Sequence, residues 1–465
     1  MPDVIKVRKG LDIPLPGAAA AKVDAADGIL SYAVQPVDYV GFEPRLLVRE
    51  GDSVQAGSPL LCDKGDDRLV LASPVCGTVR RIVRGDRRRL LAVEVERGST
   101  ETPDGLDKPA PSDLSDLTAL RRRLQATGLW ASIVQRPFGI IAPPDSHPKA
   151  VFVSCCDSAP LAASCDITLR GREAEFRRGI EALAALADAP LHLALRRGQA
   201  LAALDGMPPK VKVHYMEGPH PAGNVGTLMA AVAPLNKGET AWAVDPQDVA
   251  CIGRWLITGR YAPERVVAVC GPAAQQPQYY RVTAGACVAS LLSPHLPATC
   301  ATPRIIAGNV LTGRQISVDG FLPARTSELT LLPEGDRYDF LGWLRPGFRK
   351  YSFSRTFLSG LLPRCWQRRM TARSPRRVPL FDTGCHGGVR PLVFGEPFDR
   401  VFPLDIYPME LVKAAVVGDV ERLERLGIYE VEPEDLALCE FVDPSKTEIQ
   451  TLIRTALELC RKEAG

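Results

Sequence analysis

Near the C-terminus, Leu438-Cys439-Glu440-Phe441-Val442-Asp443-Pro444 has the spacing that ends an iron–sulfur ligand run, C-x2-C-x2-C-x3-C-P. The chemistry of such a run is electron transfer, and it needs thiolates at all or nearly all of its four positions. In this register the positions hold Pro433, Leu436, Cys439 and Asp443. A single thiolate beside proline and leucine holds no cluster. Upstream by 36 residues, Pro397, Arg400, Pro403 and Tyr407-Pro408 repeat the spacing with no cysteine. Helical stretches are expected after each block, over 409–417 and 447–459.

Other reactive-looking groups are weaker. Cys385-His386 lies in a Gly-rich loop, 382–388. A nucleophile needs its base brought across a fold, not merely next in sequence. Cys155-Cys156 at a strand end reads as buried packing. The 13 cysteines show no C-x-x-C, and the six histidines show no H-x-H or H-E-x-x-H. Neither a disulfide scaffold nor a zinc site is expected.

Those residues must be positioned by about three domains, on the usual size prior for 465 residues. A hydrophobic fraction of 46% supplies sizeable cores, and a net charge of +3 does not suggest a nucleic-acid partner. No run of 18 uncharged apolar residues exists, so no membrane span is expected. The first residues, Met1-Pro2-Asp3-Val4-Ile5-Lys6, lack a signal-peptide core. A cytosolic chain with reduced thiols is the expectation.

From 41 to 97, short apolar runs alternate with turns such as Gly51-Asp52 and Pro74-Val75-Cys76-Gly77. Such strands predict a small β-sandwich. Its order resembles the barrel-sandwich hybrid of lipoyl and biotinyl carrier domains. Lys64 stands near the lysine that lipoyl domains modify, but Gly65-Asp66-Asp67-Arg68 departs from their pattern, and a structural sandwich is the better reading. Residues 98–113 form a linker or surface loop, and Leu114, Leu117, Leu120 and Leu124 predict a helix ended by Gly128.

Beyond it, short apolar strands at 151–153, 191–195, 211–215 and 265–270 alternate with helices, predicting a parallel Rossmann-like sheet. No dinucleotide fingerprint or P-loop is present. The loop 218–227 enters a helix and could hold an anion, although a plain Gly-rich turn is the better reading. Strands at 304–311, 315–319 and 329–332 predict a small mixed β domain.

Several blocks recur in one order: Arg8-Lys9-Gly10-Leu11-Asp12-Ile13-Pro14-Leu15, Gly128-Leu129-Trp130, Arg136-Pro137-Phe138 and His220-Pro221-Ala222-Gly223. The run 342–358, Phe402-Pro403-Leu404-Asp405-Ile406 and Glu434-Asp435-Leu436-Ala437-Leu438-Cys439 follow. On these the chain resembles, nearly end to end, the A-subunit family of Na+-translocating NADH:quinone reductases. The C subunit of Rnf complexes and the flavin subunit of complex I share the domain arrangement.

The resemblance implies an α/β multidomain protein. A barrel-sandwich hybrid with an N-terminal arm would occupy 1–100, and a Rossmann-like domain 114–300. A β-grasp-like domain would occupy 301–378, and a helical ferredoxin-like module without clusters 379–465. It also implies a peripheral location on the cytoplasmic side of the bacterial inner membrane. There the chain would dock on the other subunits of the Na+-NQR complex, especially the membrane-embedded B subunit. The complex would use NADH, FAD, FMN, iron–sulfur and ubiquinone to drive Na+ export, with no redox cofactor and no catalytic residue in this chain. An Rnf-type electron-transfer subunit that holds flavin or clusters is the alternative.

Trp130 stands where relatives place small residues beside FMN, and Asp157-Ser158-Ala159-Pro160 replaces a more acidic loop, so the flavin site reads as closed. Trp130, Arg136, Asp157 and His220 form a candidate quinone or ligand pocket, with ubiquinone the candidate occupant. The basic segment 364–377 reads as a solvated loop; contact with anionic lipid or with an acidic neighbour in the complex is the alternative.

Overall fold

The computed structural model describes residues 3–98, 114, 116–204, 206–296, 303–335, 340–342, 344–347, 350–363 and 379–464. The alternating segment near the N-terminus closes into a barrel-sandwich. A four-stranded sheet (Ser31–Val34, Leu90–Arg97, Gly77–Arg84, Ser53–Val54) accompanies a three-stranded one (Pro44–Leu46, Pro59–Asp63, Val70–Ala72). Leu60, Leu61, Leu71, Val79, Val93 and Val95 point inward and share one core, as period-two alternation requires. Lys64 is exposed at the turn after Pro59–Asp63. Beyond it, Arg68 donates to Asp66 and Asp145 at 2.7 and 2.8 Å, which clasps this hairpin to the next domain.

Helix Leu117–Ala126 begins where Asp116 Oδ1 accepts from Ala119 N–H, an N-cap satisfying one of the free first-turn donors. Gly128, with φ of +79°, turns the chain out of the helix.

Seven strands then form a mixed sheet in the order Asp3–Lys6, Val211–Glu217, Leu191–Arg196, Val151–Ser154, Ala241–Ala243, Val134–Arg136, Ile140–Ile141. The first five pair in parallel and the last two antiparallel. From Val151–Ser154 the chain adds Leu191–Arg196 and Val211–Glu217 on one side. It then returns to place Ala241–Ala243 on the other, so strand order reverses between Val151–Ser154 and Ala241–Ala243. Helices Glu173–Ala187 and Pro246–Thr258 bury Phe176, Ile180, Leu183, Val249 and Ile252 in the core they share with the sandwich.

The apolar run at 265–270, expected in this parallel sheet, belongs to another. Strand Glu264–Cys270 pairs antiparallel with Gln278–Thr283 and parallel with Glu328–Leu332. Arg314–Ile316, Arg304–Ala307 and Ala20–Ala25 complete six strands. A run buried on both faces reads alike in either sheet. What links it to the first sheet is Arg265, whose buried guanidinium donates to Asp248 at 2.6 Å and Asp245 at 2.9 Å on helix Pro246–Thr258.

The C-terminal region is helical: Glu396–Val401, Pro408–Val417, Val420–Arg425, Ala437–Val442 and Ile449–Ala464. The two helices expected after the thiolate-like blocks are the second and last of these. The four ligand-register positions serve the packing of this region. Pro433 opens the turn Pro433–Leu436, and Leu436 and Cys439 are buried in the helical core. Asp443 accepts from Ser445 N–H at 2.9 Å and Thr447 N–H at 2.8 Å. Burial also raises the Cys439 thiol far above its usual range. These residues do not fit an iron–sulfur cluster, and among the described residues no group of three His, Cys, Asp or Glu could hold a metal ion.

Candidate functional site

In open α/β sheets, ligands bind beyond the carboxyl ends of the strands, where strand order reverses. Here that point carries a cavity of about 300 Å³, and Arg136, Asp157 and His220 all line it. Ser154 ends one central strand and Asp157 follows it, and Val244 and Asp245 follow its neighbour across the reversal. Trp130 does not line the cavity. Its indole is buried in the core, edge-on to Trp242 at 5.5 Å, with Nε1 donating to Ala142 O at 2.7 Å. Arg121 lies over both rings at 5.4 and 5.8 Å. The loop around Trp130 borders only a separate space of about 90 Å³, well below the volume of an ordinary cofactor site.

His220 is buried, and its Nδ1 lies 3.1 Å from Ser158 Oγ. That oxygen also accepts from Gly223 N–H at 2.8 Å, which ties the imidazole to the loop through Ser158. Desolvation holds this histidine down at about 4, outweighing the nearby Glu434 and Asp12. It is therefore neutral at pH 7, a hydrogen-bonding group and not a cation. Asp157 accepts from Ala159 N–H at 2.8 Å. Surrounding protein lifts its carboxyl, and Glu434 and Asp245 add to the lift, although the side chain stays open to cavity solvent.

The residues that sequence reasoning missed come from distant parts of the chain. Arg325 borders both cavities and donates to Ala131 O at 3.0 Å. Asn309 and Thr312 enter from the second sheet. Glu328, buried in that sheet, accepts from Ala163 N–H at 3.0 Å and is raised to about 8, chiefly by desolvation and then by Asp157.

Most consequential is the acidic turn Glu432-Pro433-Glu434-Asp435, which crosses from the helical region to Arg136. The guanidinium is almost wholly buried. It pairs with Glu434, with Glu432 at 3.2 Å and with Asp435 at 3.6 Å. Desolvation opposes this charge, and the three carboxylates more than offset it. They share one cation, so the last to ionise gains least. Burial lifts Asp435 to about 7 against the pull of Arg136, and it lifts Glu432 as well.

Asp435 also sits against the first turn of helix Val225–Val232. A Cβ at Gly226 would collide with its carboxylate, so only glycine permits the approach. The loop 218–227, read as an anion loop or a plain turn, thus presents its helix start to a carboxylate of the same chain, where the helix dipole favours negative charge. Asn224 Nδ2 donates to Glu434 O at 3.3 Å and fastens the same contact. The available signal was the capping pair itself, since Glu432 N–H donates to Asp435 at 3.0 Å. That pattern reports a local turn and not its distant partner.

Residues 5–98 match the family described as the NqrA N-terminal barrel-sandwich hybrid domain. Residues 115–261 match the NqrA second alpha/beta domain, and 266–318 the NQRA C-terminal domain. Full-length similarity is found to proteins named as the A subunit of Na(+)-translocating NADH-quinone reductase. The protein from Rhodopirellula baltica is 34% identical, over 99% of this chain and 98% of its own. The one from Serratia proteamaculans is 35% identical, over 99% and 100%. The one from Neisseria meningitidis serogroup C is 33% identical, over 99% and 100%. Among solved structures, an NAD+-reducing [NiFe]-hydrogenase in the H2-reduced state aligns over 48% of each chain at 13% identity, with a TM-score of 0.36.

Proposed function

The chain belongs to the A-subunit family of the Na+-translocating NADH-quinone reductases, and from that premise we propose that it serves the complex as a scaffold without a redox centre of its own. The complex oxidises NADH, reduces quinone and translocates Na+; this chain carries no helix, among the described residues, long and apolar enough to cross a membrane. We read the parallel sheet as Rossmann-like, the second sheet as β-grasp-like and the C-terminal helices as a ferredoxin-like module. The boundaries are those expected above: 1–100, 114–300, 301–378 and 379–465. The membrane-embedded B subunit is the proposed docking partner, on the cytoplasmic side of the bacterial inner membrane. Flavins and iron–sulfur then belong to partner subunits.

The observation that carries this reading is the Arg136 cluster. Where related architectures would receive a nucleotide, the crevice holds three carboxylates of the same chain against a buried arginine. Phosphate and carboxylate compete for the same helix start, and here the carboxylate is tethered. The purified full chain is expected to be colourless and iron-free in a visible absorption spectrum with iron analysis. Stoichiometric flavin or iron would put the Rnf-type electron-transfer alternative first.

A second reading has one observation in its favour. Arg136, Asp157 and His220, separate in sequence, meet in one cavity. A quinone carbonyl could accept from His220 in its Nε2–H tautomer, yet a quinone wants apolar and aromatic walls. Among the described residues, no aromatic ring other than the His220 imidazole lines the cavity, and Trp130 is absent from it. Titration with a short-chain ubiquinone analogue is expected to show no saturable binding that His220→Ala removes. Saturable binding lost in that variant would establish the quinone role instead.

A further inference from the structure

The residues from 340 to 394 are absorbed neither by the candidate site nor by the sheets. Their described parts contain one short turn of helix, Leu358–Leu361, and otherwise irregular backbone. Contacts knit them into one lobe. Leu358 N–H donates to Arg345 O at 3.1 Å, Lys350 bridges to Leu380, and the rings of Tyr351 and Phe381 lie 5.3 Å apart. Tyr351 also meets Phe441 at 6.4 Å, and Arg390 N–H donates to Ser445 O, mounting the lobe on the C-terminal helices.

This lobe carries several exposed apolar side chains. Phe340, Leu344, Leu361, Leu380, Val389 and Val393 are each between 50% and 85% exposed. Scattered exposed apolar residues are ordinary, but a concentration of them on one irregular lobe marks an interaction surface. Charge identifies the partner. Among the described residues here, Arg345, Lys350, Arg355 and Arg390 face a single acid, Asp382. That is four basic side chains to one acid, on the same described stretches that project the apolar side chains.

From this pairing we propose that the lobe is a membrane-interface patch that lays Phe340, Leu361 and Val389 among the headgroups of an anionic bilayer, with its basic residues on the lipid phosphates. Apolar side chains inserted at the boundary and arginines at headgroup depth are complementary contributions, and neither alone anchors a protein firmly. The segment 364–378 lies outside the described residues, and the patch is defined without it.

The test uses the full chain in co-sedimentation with vesicles of phosphatidylcholine alone or with one third phosphatidylglycerol. Binding is expected only to the anionic vesicles, and to fall at least about tenfold between 0.05 and 0.5 M salt as surface charge is screened. The triple variant Phe340→Ser, Leu361→Ser, Val389→Ser should bind at least about tenfold more weakly. These side chains are exposed, so an unchanged melting curve should show that the variant folds; Leu361→Ser alone, with a smaller loss, serves if it does not. Three results would overturn the proposal. One is no binding to anionic vesicles. Another is binding that the apolar variants leave intact. The third is binding carried only by an acidic protein of the complex, read as capture of that protein with no vesicle association.

Discussion

Replacing Arg136 with alanine is expected to lower unfolding free energy by about 3–5 kcal/mol, the largest effect of any single substitution at the crevice. The guanidinium is almost wholly buried and holds Glu432, Glu434 and Asp435 together. Without it, two deeply buried carboxylates lose their counter-ion, must take up protons, and leave a hole where the side chain lay. Arg136→Lys should recover only part of the loss, because one ammonium cannot address three carboxylates as a planar fork does. Urea unfolding at pH 7 measures both. A loss under about 1 kcal/mol for alanine, the size of an exposed ion pair, would mean that the turn 432–435 contributes little to holding the helical region on the sheet.

The second large effect follows pH. His192 and His214 lie on neighbouring strands, stacked, with Nδ1 of the first 2.9 Å from Nε2 of the second. One ring must donate and the other accept, so protonating both destroys the bond. Desolvation, with His214 and Lys212 adding, depresses His192 to about 4 from an ordinary 6.5. A depressed histidine means that the unfolded chain binds its proton first. Stability from this group is present above pH 6.5 and is lost as pH falls through that value toward 4. Between pH 7 and 4.5 the loss is about 2 kcal/mol once partial solvent screening is allowed for. His192→Gln lacks that titration, so the stability gap between parent and variant should narrow by this amount over the same interval. A gap that stays constant would assign the acid sensitivity elsewhere. Asp435 and Glu328 work in the opposite sense: their raised carboxyls favour the folded state as pH falls. Only the difference between parent and variant isolates the histidine.

Much of the architecture was legible because its signals are local. Period-two runs broken by Gly-Asp turns gave the sandwich, and Pro408 before an apolar stripe gave helix Pro408–Val417. The strand Glu264–Cys270 was recognised but assigned to the wrong sheet. Its burial pattern shows that both faces are covered and says nothing about which neighbours cover them. Trp130 failed differently: a large aromatic residue near a loop can wall a pocket or fill a core, and the carbonyl of Ala142 decided for the core. Arg136, Asp157 and His220 were legible as polar residues of separate sequence blocks, and strand-order reversal brought them together. Glu432, Glu434 and Asp435 were hidden because their partner lies roughly 300 residues away, and no periodicity spans that distance.

The N-terminal arm has a consequence for synthesis. Asp3–Lys6 forms an edge of the seven-stranded sheet against Val211–Glu217, and Ala20–Ala25 an edge of the six-stranded sheet against Gln278–Thr283. These two strands are therefore made well before the partners they pair with. The sandwich can close once residue 97 has been made, but Ala20–Ala25 has no strand to pair with until Thr283 has been made. Loss of this arm would strip a border strand from each of two sheets and bare their unpaired amides and carbonyls to neighbouring chains.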